Sequence, residues 1–219
     1  MTKNTLTISS AVLWSAAYFG IMLFYTFLDV AVWRTLFPQY AEWINLFVMI
    51  LCGCAFLLFL AKRYQVPVFS NITFVGLLLA AGCSVLFFLL LDHCLDPIFE
   101  SIFPQSEEDY QETIQSLIHS PITSFLQVCI IAPVVEETLM RGVILGGLKN
   151  TYDSITALLV SSVLFAVLHF NMVQTLSAFM CGIVLGLLYL RTRSVFCCII
   201  AHCGYNFISY LTTIYPYII

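Results

Sequence analysis

Long apolar stretches, separated by short polar connections, account for most of the chain. A helix of about 20 mostly apolar residues can cross the hydrocarbon core of a bilayer. The pattern therefore predicts an all-α fold, a polytopic transmembrane helix bundle of about seven spans, and the length is compatible with about six to eight. The predicted spans are 9–33, 43–61, 71–91, 121–147, 152–170, 172–190 and 194–214.

The connection at 92–120, between the third and fourth predicted spans, has a different character. It carries acidic residues from Asp92 to Glu112 and no Lys or Arg, and Pro97 and Pro104 interrupt it. Apolar residues nevertheless recur in it at helical spacing, which predicts a helix lying at the membrane interface, followed by a polar turn. The segment is therefore expected to be acidic and partly helical. No internal repeat divides the chain, so we expect a single membrane-embedded domain over 1–219.

Composition supports the membrane assignment independently of the spans. Hydrophobic residues make up 61% of the chain and charged residues 9%, with a mean hydropathy of +0.99. A soluble domain is about one-quarter charged, so this chain has too few charges to cover a surface that faces water. The eight Lys and Arg residues are scattered, which excludes a nucleic-acid-binding surface. Eight of the nine cysteines lie in apolar runs, where Cys packs as a small hydrophobe.

The basic residues predict an orientation. If the N-terminus is cytoplasmic and the chain crosses seven times, six of the Lys and Arg residues fall on the inner side and Arg34 alone falls on the outer side. This is the bias of the positive-inside rule, so we expect a multi-pass protein with a cytoplasmic N-terminus. The six inner residues are Lys3, Lys62, Arg63, Lys149, Arg191 and Arg193.

Two neighbouring carboxylates stand within the fourth predicted span. An ionised group inside a membrane is costly and by default marks a functional site with a partner. Glu137 and Arg141 are four residues apart, with the acid first, as in a helical ion pair. Glu136 points about 100° away around the same helix, since a turn has 3.6 residues. We therefore expect Arg141 to neutralise Glu137, mainly in a structural role, while Glu136 faces a cavity.

The next spans contribute further polar groups. Phe165 precedes His169 by one helical turn, so its ring can pack against the imidazole. His202 and Asn206 are also four apart and share one helical face. Polar groups that converge from three helices are typical of a site inside a bundle. A single intramembrane His or Asn also serves as a hydrogen-bonding contact between helices, and that interpretation stays open for His169 and Asn206 taken individually.

Three short motifs carry a resemblance to a known family. Residues 136–141 (EETLMR) match EExxxR, 165–169 (FAVLH) match FxxxH, and 202–206 (HCGYN) match HxxxN. In this order on successive membrane helices, they resemble the motifs of the CPBP family, which includes CAAX prenyl endopeptidases and bacterial bacteriocin-processing and immunity proteins. The resemblance covers about 120–210 and defines a motif-bearing core at 121–214.

The resemblance implies an intramembrane glutamic endopeptidase that hydrolyses a membrane-associated peptide or protein. By position, Glu136 and His169 would activate a water molecule, while His202 and Asn206 would stabilise the oxyanion. Glu137, Arg141 and Phe165 would support them. No cofactor is expected, although a divalent metal such as zinc stays an alternative for these carboxylates and imidazoles. The chain is short, as the bacterial members of the family are, and this resemblance implies that the protein lies in a bacterial plasma membrane.

Two other functions stay open from the sequence. One is a non-catalytic bacteriocin-immunity or regulatory membrane protein that keeps the motif residues for packing or recognition. The other is a small proton-coupled transporter, because intramembrane Glu and His also form proton relays. The predicted spans also place Glu136, His169 and His202 at different depths. Their convergence requires broken, tilted or unequal helices, and Pro133 and the glycines of 142–147 are the expected positions of breaks.

Overall fold

The computed structural model describes residues 5–105, 114–115, 117–169 and 171–213, and within them seven helices of 13 residues or more form the fold. Each corresponds to one predicted span, and no β-strand occurs in the described part. The helices are α1 (Ile8–Leu36), α2 (Ala41–Tyr64), α3 (Phe74–Ile102), α4 (121–148), α5 (Ser154–Ala166), α6 (Met172–Thr192) and α7 (Val195–Thr213).

Five of the described helices, α1, α2, α3, α6 and α7, are long and apolar enough to cross a membrane. Large apolar side chains such as Phe24, Phe47 and Leu58 are exposed on them, as expected for surfaces that face lipid. The two remaining helices differ for visible reasons. Helix α4 carries two acids and an arginine, and α5 has only 13 residues. The chain is an integral membrane protein built as an all-α bundle.

The third helix is longer than its predicted span, 71–91. It continues without interruption through Asp92 and Asp96 to Ile102. The expected separate interfacial helix is therefore the last part of α3, because both aspartates find partners inside the bundle: Tyr205 donates to Asp92 over 2.8 Å, and Ser177 donates to Asp96. The later acidic residues, 107–112, lie outside the described residues.

Helix α4 is not broken at Pro133 or at its glycines, contrary to expectation. It runs continuously from 121 to 148, with π-helical turns at Gln127–Ile131 and Thr138–Leu145. A proline removes a backbone donor and crowds the preceding turn, and a wider π turn just before Pro133 relieves both. The second π-helical segment begins directly after Glu137. Such turns inside α-helices are frequent at functional sites.

The predicted spans placed Glu136 and His169 at different depths, and the short α5 is the main reason why the structure places them at similar depths. The helix ends at Ala166 rather than at 170, and His169 lies in the turn that follows, where its N–H donates to the Ala166 carbonyl. Thirteen residues rise about 20 Å, well short of a bilayer's hydrocarbon core. Glu136 lies 12 residues before the end of α4, about 18 Å along the axis. The two side chains are therefore at similar depths.

The core of the bundle is centred on the second half of α4. Leu139, Met140, Val143 and Ile144 have no exposed surface. Close helix contacts flank them: at Gly182 of α6 an added Cβ would lie 3.1 Å from the backbone of Ser162 on α5. Small residues allow such approach between membrane helices. This packing fixes α5 and α6 beside α4 and so positions the polar groups of all three helices.

Candidate active site

A cavity of about 510 Å³ lies between the helices, within the size range of ligand pockets. All four predicted catalytic side chains line it: Glu136, His169, His202 and Asn206. They come from α4, from the turn after α5, and from α7. The structure therefore brings the motif residues together around one space.

A buried ion cluster lies behind this cavity. Glu137 has no exposed surface, and its Oε1 accepts from Arg141 Nη1 over 3.0 Å and from His202 Nδ1 over 2.9 Å. Arg141 is 1% exposed and donates through Nη2 to the Gly182 carbonyl over 3.2 Å. The predicted Glu137–Arg141 pair is thus present, and it also holds the histidine of the HxxxN motif. Burying such charges is tolerated only when they are paired and hydrogen-bonded.

Phe165 connects the cluster to the cavity. Its ring lies 4.7 Å below the Arg141 guanidinium, a cation–π distance. It also contacts two imidazoles edge-on, with ring centroids 5.2 Å from His169 and 5.9 Å from His202. Phe165 is 1% exposed. A single buried ring therefore fixes the spacing of the two histidines.

Glu136 faces the cavity, about 100° around α4 from Glu137. It keeps part of its surface accessible, whereas Glu137 keeps none. Tyr18 of α1 lines the same cavity and lies near the Glu136 carboxylate. The two adjacent acids thus have different surroundings: one is locked in an ion cluster, and the other borders open space.

The two histidines present different ring nitrogens to their supports. His169 Nδ1 lies 3.1 Å from the Phe165 carbonyl, which can only accept, so Nδ1 carries the proton. In the neutral ring, Nε2 then holds the lone pair. His202 Nδ1 donates to the Glu137 carboxylate, so an N–H at its Nε2 exists only in the doubly protonated imidazolium.

Asn206 lies one turn after His202 on α7. Its Nδ2 donates to the Val128 carbonyl of α4 over 2.8 Å. The side-chain amide has a second N–H, and the first bond fixes the plane in which that second donor lies. The orientation of Asn206 therefore depends on the packing of α7 against the first half of α4.

Metal ligation was the alternative chemistry for these residues. Within the described ranges, no group of three or more His, Cys, Asp or Glu side chains is arranged to hold a metal ion. The reason is visible at α4: the Glu137 oxygen closest to His202 is already shared with Arg141, and Glu136 points about 100° away around the helix.

Sequence reasoning missed two contributions to the site. The contact between His202 and Glu137 joins residues 65 positions apart, and nothing in the motifs pairs them. The wall from α1, with Tyr18, Met22 and Tyr25, was also missed. These residues are four and three apart, so they share one face, and two hydroxyls on one face of a membrane helix were the signal available.

Comparisons with known proteins agree with the motifs. The family model for the type II CAAX prenyl endopeptidase Rce1-like proteins matches residues 118–208. A Bacillus subtilis (strain 168) protein named "Putative membrane peptidase YdiL" is 28% identical over 100 residues, which cover 46% of this chain and 41% of that relative. The chain therefore aligns with less than half of that relative's length. No solved structure matches the chain.

The family match and the geometry coincide. The matched residues contain all three motifs, in order, on α4, after α5 and on α7. The relative bears the name "Putative membrane peptidase", and the chain itself is an apolar helix bundle with an internal cavity that several polar side chains line. Residues 118–208 are therefore similar to the Rce1-like type II CAAX prenyl endopeptidases, in agreement with the resemblance of the three motifs to the CPBP family.

Proposed function

We propose that the protein is an intramembrane endopeptidase that hydrolyses a peptide bond of a membrane-associated peptide or protein with a water molecule activated by Glu136 and His169. The observation that carries the proposal is the common cavity, which Glu136, His169, His202 and Asn206 all line. Peptide hydrolysis needs a base, an oxyanion donor and a space for the substrate between them. The cavity offers all three within a low-dielectric interior.

In this mechanism Glu136 is the general base. It takes a proton from a water molecule that His169 orients through Nε2, the ring nitrogen left with the lone pair by the bond to Phe165. The resulting hydroxide oxygen bonds to the scissile carbonyl carbon. A carboxylate kept from bulk water is a stronger base than one in solution. Glu136 then passes the proton to the departing amine, the C–N bond breaks, and a carboxylic acid and an amine are released.

The negative charge on the tetrahedral intermediate falls to His202 and Asn206. Asn206 supplies an amide N–H, and its plane is preset by the bond to Val128. His202 donates through Nε2 when its ring is doubly protonated, and the Glu137 carboxylate fixes the ring by accepting from Nδ1. Donors fixed in advance where charge develops are the largest single contribution in many hydrolases. Glu137 and Arg141 therefore act through His202 and do not touch the substrate.

The test compares conservative variants on defined substrates. The purified protein in liposomes is incubated with a farnesylated CAAX peptide, the same peptide without the lipid, and a library of unmodified hydrophobic peptides, and products are identified by mass spectrometry. Glu136→Gln should lose about 10²- to 10⁴-fold in rate, as expected for removal of a general base, and His169→Ala should also be slower because the water is no longer oriented. Glu42→Gln removes a carboxylate that pairs with Arg34 at the surface, and it should cleave normally.

Each other function predicts a different result, and neither predicts peptide cleavage in the liposome preparation. An immunity or regulatory protein would protect cells equally well as Glu136→Gln and would cleave no peptide. A transporter would move solute or protons across the liposome membrane, again without cleavage. Wild-type turnover by Glu136→Gln would show that the assigned base is wrong.

A further inference from the structure

The two ends of the bundle differ sharply in charge. Five of the seven Lys and Arg residues in the described part of the chain lie at one end, which we call the basic face. The basic face consists of the helix ends and connections that carry Lys62, Arg63, Lys149, Arg191 and Arg193. Of the other two, Arg141 is buried in the core, and Arg34 at the opposite end is neutralised by Asp29 and Glu42 over 2.7 and 2.8 Å.

Hydrogen bonds between connections confirm that these residues share one end. The Leu6 N–H, just before α1, donates to the Gly147 carbonyl at the end of α4 over 3.1 Å. The Asn71 amide, just before α3, donates to the Arg193 carbonyl after α6 over 3.0 Å. The basic face therefore contains the starts of α1, α3, α5 and α7 and the ends of α2, α4 and α6.

The cavity occupies the other half of the bundle. Its lining includes Glu100, two residues before the end of α3, and Thr213, the last residue of α7. It also includes Gln127 in the first third of α4 and Gln174, the third residue of α6. All four positions are at or near the helix ends opposite the basic face. No Lys or Arg is among the lining residues of the described chain.

Toward the basic face the cavity is closed by solid packing. Beyond Glu136 and His202, the interior is filled by side chains with no exposed surface, all in one core cluster. A protein interior filled by fully buried side chains leaves no path for a peptide. The filling residues are Met140, Val143, Ile144, Leu145, Leu148, Leu185, Cys197 and Cys198.

We infer that a substrate peptide enters through the end opposite the basic face, by a mouth that Glu100, Gln174 and Thr213 border. Since basic ends of membrane proteins face the cytoplasm, this mouth is on the extracytoplasmic side. The entering partner is then a peptide, or the exposed segment of a membrane protein, present on that side. The identity of the entering molecule as a substrate rests on the proposed function, whereas the position of the mouth does not.

The depth of the cavity limits which peptides fit. From Thr213 at the mouth to His202 is 11 residues of α7, about 16 Å along the helix. An extended peptide covers about 3.3 Å per residue, so about five residues are needed to span that depth. A scissile bond must therefore lie about five or more residues from the point where the substrate leaves a folded domain.

Cysteine labelling tests the position of the mouth without requiring catalysis. Gln174→Cys and Thr213→Cys report on the mouth, and Lys62→Cys, an exposed position at the basic face, is the matched control. Each variant is treated with a membrane-impermeant maleimide in right-side-out and in inverted membrane vesicles. Labelling above that of the unsubstituted chain, which contains nine native cysteines, is the measured quantity.

We expect the two mouth variants to react in right-side-out vesicles and Lys62→Cys to react in inverted vesicles only. The inference is overturned if the mouth variants react only in inverted vesicles. It is also overturned if they react from neither side yet react fully in detergent, since the cavity would then be closed to that face. If the mouth variants react in right-side-out vesicles but the protein cleaves no peptide, only the proposed function is refuted. If the protein cleaves peptides but the mouth variants react only in inverted vesicles, only the inferred side of entry is refuted.

Discussion

His202 and Glu137, on α7 and α4, are joined by a 2.9 Å contact between Nδ1 and a carboxylate oxygen that has no exposed surface. The same oxygen accepts from Arg141. The second acid of the EExxxR motif is therefore linked to the first residue of the HxxxN motif. This contact makes the orientation of one proposed oxyanion donor depend on a residue outside the cavity wall.

Replacing Glu137 by Gln should lower kcat while the protein stays folded. Gln preserves shape and one acceptor but removes the negative charge that faces His202 Nδ1. We expect a loss of about 100-fold or more, because loss of the carboxylate behind an imidazole costs up to about 10⁴-fold in serine proteases. Steady-state kinetics should show the loss in kcat, with KM nearly unchanged. A normal kcat in Glu137→Gln would contradict the role given to His202.

Replacing Arg141 by Met should destabilise the fold strongly. Glu137 would stay buried with one partner fewer, and breaking a buried pair costs about 3–5 kcal/mol. Thermal unfolding in detergent measures the effect. Arg34→Met is the control, since its side chain is 51% exposed and surface pairs contribute about 1 kcal/mol or less.

The double variant Glu137→Leu/Arg141→Met separates charge from packing. It removes both buried charges, so it should unfold at a higher temperature than Arg141→Met alone. It should also be inactive, because His202 loses its carboxylate. If the double variant were less stable than Arg141→Met, packing of the Glu137 stem would outweigh the charge imbalance.

Replacing Tyr18 by Phe should lower the cleavage rate without affecting stability much. The hydroxyl lies near Glu136 on the cavity wall and belongs to α1, which lies outside the matched family region. Removal of a polar group beside the proposed base, at about 0.5–1.5 kcal/mol, corresponds to a rate about 2- to 13-fold lower. Tyr64→Phe is the matched control, because that hydroxyl accepts from Trp14 and does not line the cavity. Equal rates for Tyr18→Phe and wild type would show that α1 contributes only a wall.

Replacing Gly182 by Ala should destabilise the protein by about 1–3 kcal/mol, the usual range for overpacking. The new Cβ would lie 3.1 Å from the Ser162 backbone, which cannot rotate away, and α6 would move from α5 and withdraw its carbonyl from Arg141. Gly20→Ala, where nothing lies within 4 Å, should be neutral or stabilising, since Ala favours helix. Unfolding midpoints of the two variants, measured side by side, decide this; equal midpoints would contradict it.

The sequence by itself determined the helices, their number and the membrane as solvent, because runs of apolar residues leave no other way to satisfy the backbone in lipid. It also separated Glu136 from Glu137, since their angular offset follows from helix geometry alone. The spans and the polar groups could therefore be predicted from local spacing.

Only the tertiary structure decided which polar groups meet. The predicted span continued α5 to 170 and so placed His169 too far from the start of that helix. In the structure the helix ends at Ala166, and His169 lies in the turn that follows. The contact of His202 with Glu137, and the cavity that Tyr18 and Glu136 line together, bring together helices far apart in the chain. Periodicity describes one helix at a time, and the depth and rotation of each helix against its neighbours are set by close packing of the whole bundle.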